Sequence, residues 1–236
     1  MIKSNYALKL STALFLFTLL SLGAVAQKAG ETQPGTIDDL KTSPLKVAAL
    51  QEISGSQFLS TDYIMATIQT STDKIVTEVP VKFNIYSNAI MVKMDDGQEL
   101  KLEDFKMVSY DETKSDGTIK HYKFEQGLPE VDNHNERSVY QLVSSGPKVQ
   151  LLKYVTQKVE DVNTPDNSSQ KELVKSEQLY VYVPGGTIKR IKASKKDLVE
   201  ALPTMSAKID EIANANNLKL KNEAEIAVLV ESLNKP

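Results

Sequence analysis

Four tight-turn signatures break the middle of this chain into short alternating runs, and that punctuation limits the possible folds more than any other feature. Asp95-Asp96-Gly97-Gln98 falls between the runs Ala89–Met94 and Glu99–Leu102. Ser115-Asp116-Gly117-Thr118 falls between Met107–Tyr110 and Ile119–Phe124. Ser145-Gly146-Pro147 separates Val139–Val143 from Val149–Thr156, and Pro184-Gly185-Gly186 separates Leu179–Val183 from Ile188–Ile191. Asp-Gly and Gly-Gly supply the positive φ angles that hairpins require. Between the turns, Val81, Phe83 and Ile85 alternate with polar neighbours, as do Tyr122 and Phe124, which is the period of a half-buried strand. Leu179–Val183 is apolar on both faces and reads as a central strand covered on both sides. The stretch Asp161–Lys171 is polar and broken by proline, and reads as a long exposed hairpin loop.

The period changes after Ser194. Ser194 with Asp197 three residues on has the form of a capping box. Leu198, Val199 and Leu202 give a short apolar face, Pro203 breaks the helix, and Met205, Ile209 and Ile212 resume helical spacing. Asn214, Asn216 and Asn217 form a stop. Leu218 and Leu220 read as a short extended link. Asn222 caps a last helix with Ile226, Leu229, Val230 and Leu233 on its apolar side. Helices this short need a surface to pack on. The expected fold is therefore mainly β with C-terminal α: a curved antiparallel meander or incomplete barrel, backed by two or three short helices.

The N-terminal residues point to export. Lys3 and Lys9 are the only charges before residue 27, an uncharged apolar run extends from Leu10 to Leu22, and Ala24-Val25-Ala26 offers the small-x-small pattern of a signal peptidase site. Cleavage between Ala26 and Gln27 is expected, with 1–26 as signal peptide, 27–52 as a flexible leader, and 53–236 as one β-rich domain with its helical tail at about 194–233. The apolar run is shorter than the ~20 residues that span a bilayer, so no membrane span is expected after cleavage. The chain has no cysteine, which excludes a lipid-anchored lipoprotein and disulfides alike. The expected location is periplasmic or secreted. Removing the two signal lysines from 28 basic residues leaves 26 against 31 acidic ones, and this acidic balance with scattered lysines argues against nucleic acid.

The order of elements carries a resemblance. Gly55-Ser56-Gln57-Phe58-Leu59 leads into a strand, followed by Val81-Lys82-Phe83-Asn84-Ile85-Tyr86 and Ala89–Met94. Tyr180-Val181-Tyr182 runs toward Lys195-Lys196-Asp197-Leu198, and Asn217-Leu218-Lys219-Leu220 precedes the final helix. Over roughly residues 53 to 233 this resembles a broad group of uncharacterised secreted proteins of Bacteroidetes-type bacteria, with a meandering sheet and a short helical tail. The resemblance implies export and architecture and transfers no site residues.

No catalytic, cofactor or metal set stands out. His121 and His134 lack the further ligands and the spacing of a zinc site. The carboxylates at Asp95-Asp96, Glu103-Asp104, Asp111-Glu112 and Glu130–Asp132 sit at turns and strand ends, where acids are ordinarily solvated. Ser144-Ser145-Gly146 does not make a nucleophile elbow. The tyrosines are the suggestive set: Tyr63, Tyr86, Tyr110, Tyr122, Tyr140, Tyr154, Tyr180 and Tyr182 nearly all fall on expected strands, and Tyr63, Tyr86, Tyr122, Tyr154, Tyr180 and Tyr182 are the candidate binding face. Sharing one concave face, they would line a binding surface; the alternative is that they are core. The expected function is non-enzymatic binding of an envelope protein or ligand through the sheet. A hydrolase with carboxylates in a tyrosine-lined cleft is the alternative.

Overall fold

The computed structural model describes residues 32–45, 53–163 and 169–235. The proposed signal and its cleavage point at Ala26 and Gln27 lie outside the described residues. Within them, twelve strands form one open, mainly antiparallel sheet followed by three helices. The strands are β1 (Gln33–Pro34), β2 (Thr42–Ser43), β3 (Ile64–Thr70), β4 (Lys74–Asn84), β5 (Ala89–Lys93), β6 (Glu99–Leu102), β7 (Phe105–Thr113), β8 (Ile119–Glu125), β9 (Tyr140–Ser144), β10 (Gln150–Asn163), β11 (Ser169–Tyr182) and β12 (Ile188–Ile191). The helices are α1 (Lys195–Ala201), α2 (Ser206–Ala215) and α3 (Glu223–Asn234). The strand order is β12-β11-β10-β9-β8-β7-β3-β4-β5-β6-β2, with β1 added parallel to β4. The sheet does not close into a barrel.

The turns follow local chemistry. Gly97 and Gly117 have φ of 85° and 82°, and each donates its amide to the carbonyl three residues back, Met94 and Lys114. These are three-residue hairpin loops that end in a glycine bulge. Pro184-Gly185 instead makes a type II turn, with proline presetting φ, Gly185 at 74° and Gly186 donating to Val183.

The sheet curls, as one distance shows. Phe83 on β4 and Phe124 on β8 are three strand steps apart, about 14 Å in a flat sheet, yet their ring centroids lie 4.8 Å apart. The inner face of this curl holds a core that includes Ile68, Val81, Ile90, Val108, Tyr110, Tyr122 and Phe124. Asn88, in the β4–β5 turn at φ 49°, pins the curl: its carboxamide accepts from the Val139 amide at 2.8 Å and donates to the Val139 carbonyl at 2.9 Å.

Farther along the same inner face, α1–α3 cover β9–β12. Val149, Leu151, Val181 and Ile191 meet Leu198, Ile209, Leu220, Ile226, Leu229 and Leu233. Ser194 caps α1 by accepting from the Asp197 amide, and Asn222 caps α3 by accepting from Glu225. Asn234, at the far end of α3, accepts from the Lys148 and Val149 amides and donates to the Val149 carbonyl. A Cβ on Gly146 would lie 2.0 Å from the Asn234 carboxamide, so only glycine leaves room for this latch. Beneath α3 the Lys153 side chain is nearly buried, with its ammonium 3.0 Å from Glu223.

Three expectations need correcting. The expected flexible leader over 27–52 gives way to folded chain: Thr32 to Leu45 belongs to the body. Leu40 is buried in the curl's core, β1 and β2 join the sheet, and the ion pairs Lys74–Asp39 and Lys41–Asp104 and a Ser43–Glu103 hydrogen bond fasten the segment. Residues 27–31 and 46–52 lie outside the described residues. The stretch Asp161–Lys171 is not a loop at its ends: β10 and β11 pair without a register break over fourteen residues, from Gln150↔Tyr182 to Asn163↔Ser169. A two-stranded ribbon solvated on both faces needs no apolar alternation, so polarity misled the reading. Leu220, expected in an extended link, has φ 55° and is fully buried.

Candidate functional site

The outer face of the sheet, opposite the curl's core, has two parts. Over β9–β12 it is covered by the chain from Gln126 to Ser138, which crosses above Tyr140, Leu142, Leu152, Tyr180 and Ile188 and adds Leu128 to them. This crossing is fastened at several points. Gln126 donates its side-chain amide to the Arg137 carbonyl, and the Gly127 amide donates to the Glu136 carbonyl. Val131 and His134 exchange backbone hydrogen bonds around Asp132 and Asn133, whose φ angles of 51° and 66° fit the mirror-image hairpin turn that Asp and Asn tolerate.

That turn aims two polar side chains into the tyrosines. His134 stacks on Tyr154 with centroids 3.8 Å apart, and its Nδ1 lies 2.7 Å from the Tyr140 Oη. The Tyr180 hydroxyl lies 3.0 Å from Asp132 Oδ2 and 2.8 Å from Gln178 Oε1, two acceptors for one proton. Burial holds His134 below the ordinary histidine pKa, with Arg190 pushing the same way and Asp132 opposing. Burial also raises Tyr140, Tyr154 and Tyr180, so all three stay neutral phenols. The Tyr140 and Tyr180 hydroxyls and His134 Nδ1 each have a partner inside the cluster. The arrangement rigidifies the crossing segment more readily than it performs chemistry.

Over β3, β7 and β8 the outer face is bare. Met65, Thr67, Ser109, Asp111, His121 and Lys123 line a shallow depression of about 700 Å³. Met65 is 58% exposed, and Ile119 at the edge of β8 is 59% exposed. His121 Nδ1 lies 2.6 Å from Asp111 Oδ1, both well exposed. Glu125 sits where the bare and covered parts meet, with Met107 and Tyr140 as its cross-strand neighbours. Burial pushes its carboxyl up to about 7, opposed by Lys123. Neither Glu125 nor Asp132 lines this depression or the charged groove among Lys41, Asp104, Lys106 and Arg137.

The six tyrosines do not share one face. Tyr122 is buried in the curl's core beside Tyr110 and Phe124. Tyr180 is fully buried under the crossing segment, with Tyr154 and Tyr182 half-buried beside it. Tyr63 stands beside Lys82 on the curl, and Tyr86 is half-buried in the β4–β5 turn. The pair Asp132-Asn133 is a two-residue hairpin signal in the sequence, and the turn it makes brings His134 to Tyr140.

Among the described residues, no three His, Asp or Glu side chains converge as a metal-binding group, and no helix is long and apolar enough to cross a membrane. Comparison of the chain with family models, with curated proteins and with solved structures finds no match.

Proposed function

We propose that this chain is an exported envelope protein that acts by binding, without turnover, through the bare outer face of β3, β7 and β8. One observation carries the reading. Over β9–β12 the outer face is covered by the crossing segment and the inner face by the helices, while this patch leaves Met65 exposed beside the polar Thr67, Ser109 and Lys123. A flat mixed surface on a rigid sheet suits a protein partner better than a small molecule, which prefers an enclosed apolar pocket. The export part rests on the Leu10–Leu22 run and Ala24-Val25-Ala26.

The test is retention of a partner from the producing cell's own envelope by immobilised protein, compared with Ser109→Arg and Met65→Asp. Both substitutions point into solvent and should leave circular dichroism and melting unchanged. We expect at least a tenfold loss of a specific partner; equal retention by both variants rejects this face. The hydrolase alternative is favoured by one feature, the carboxyl of Glu125 at about 7, in the range of a general acid. Turnover of an envelope substrate abolished by Glu125→Gln would replace binding with catalysis.

A further inference from the structure

The paired strands β10 and β11 extend well beyond their neighbours. On the far side of β10, β9 takes only Leu151, Lys153 and the residue between them. From Gln157 to Asn163 that edge has no strand against it among the described residues. On the far side of β11, Ser54 occupies the corresponding level by exchanging backbone hydrogen bonds with Lys171 and Leu173. Ser54 covers one edge of the ribbon at that level and the other has no such cover among the described residues. An open edge is a template for another strand.

The side chains along this edge specify which strand. Two copies of one edge pair antiparallel about a dyad that passes beside a single residue, so each choice of that residue fixes every opposite pair. Centring on Lys158, Glu160 or Asp161 sets like charges face to face. Centring on Val159 sets Lys158 opposite the second copy's Glu160, twice by symmetry, and Gln157 opposite Asp161. Opposite charges on facing strand positions stabilise a pair and like charges destabilise it. Within the single chain, Glu160 already faces Glu172 across the ribbon, and neither it nor Lys158 takes part in an ion pair among the described residues. Lys158 of a second copy would neutralise this acidic pair.

We propose that the open edge of β10, from Gln157 to Val162, pairs antiparallel with the same edge of a second copy of this chain, with the dyad at Val159. The assembly joins two ribbons into a four-stranded sheet and leaves the bare face of β3, β7 and β8 free, so it stands apart from the binding reading above. Charge exchange tests it by sedimentation velocity of the purified protein over a hundredfold concentration range. The natural sequence should show reversible dimerisation that weakens with salt. Lys158→Glu should weaken it at least tenfold, and Glu160→Lys alone should do the same. The double variant Lys158→Glu/Glu160→Lys should restore it. Circular dichroism on each variant separates lost pairing from lost folding, and the double variant keeps the test decisive if a single one misfolds. A monomer at every concentration overturns the proposal, as does a dimer indifferent to Lys158→Glu or one not restored in the double variant.

Discussion

In the half of the sheet from β2 to β8, the sheet supplies its own cover by bending until β4 meets β8 across the core. In the half from β9 to β12, the sheet stays open and cover comes from outside, with helices on the inner face and the 126–138 segment on the outer. Each half is fastened by one asparagine reaching across the fold to backbone groups: Asn88 to Val139 in the first, Asn234 to Lys148 and Val149 in the second. A sheet that curls on itself can leave its outer face bare. A sheet sandwiched between added elements has no face to spare. The exposed face therefore falls to the self-sufficient half.

Removing the helices should break the comparison most severely. A chain ending at Lys192 loses Leu198, Leu202, Ile209, Ile212, Leu220, Ile226, Leu229, Val230 and Leu233 from the core. Each buried side chain is worth about 1.5–3 kcal/mol, against roughly 5–15 kcal/mol for a whole domain. Cooperative melting should disappear; an unchanged melting temperature would mean that the helices fold as a separate unit.

The two asparagines offer a finer test. Asn234→Ala leaves three backbone groups unpaired and should cost about 2–3 kcal/mol. Gly146→Ala should cost a similar amount by evicting the same side chain. Because both changes strike one contact, the double variant should fall well short of their sum in denaturant unfolding. Asn88→Ala should cost about 1–2 kcal/mol through the lost pin and the strained φ. Asn88→Gly relieves the backbone while leaving the pin broken, so faster hydrogen exchange at the Val139 amide in both variants identifies the side chain as the fastener. Exchange limited to the β9–β12 half in the Asn234 variant, and to the curl in the Asn88 variant, would sharpen the division.

An effect seen only above neutral pH lies at the seam. The folded Glu125 carboxyl sits at about 7, above the ordinary glutamate value, so the folded state holds its proton more tightly than the unfolded chain does. Its contribution is fully present below the unfolded value and is lost as pH rises through about 7. Glu125→Gln should accordingly match the parent near pH 4 and exceed it by about 3 kcal/mol at pH 8. A gain of equal size at both pH values would show that charge is not the cause.

Much of this was legible in the chain because much of it is local. The glycine turns at Gly97, Gly117 and Gly185 and the helix caps at Ser194 and Asn222 depend on four or five consecutive residues. What was not legible depends on distant partners. The two-residue strands β1 and β2 have no pattern of their own and are fixed by Lys74, Glu103 and Asp104. Alternation correctly put Tyr122 and Tyr180 on strands, but it could not say that one lies inside the curl and the other beneath the crossing segment. That distribution follows from the register of β8 with β9 and of β9 with β10, which no single segment encodes.

The Asn234 latch also sets a schedule. Its carboxamide closes on Val149 across 85 residues of chain, while the curl is built largely from consecutive hairpins. As the polypeptide emerges from its N-terminal side, the curl has its neighbours early, but β9–β12 must wait with its inner face unclothed until α3 arrives. Non-local closure of this kind is slow, and the waiting species is open to aggregation. A chaperone that masks Val149, Leu151 and Val181 during that interval would govern how much of this protein reaches its folded state.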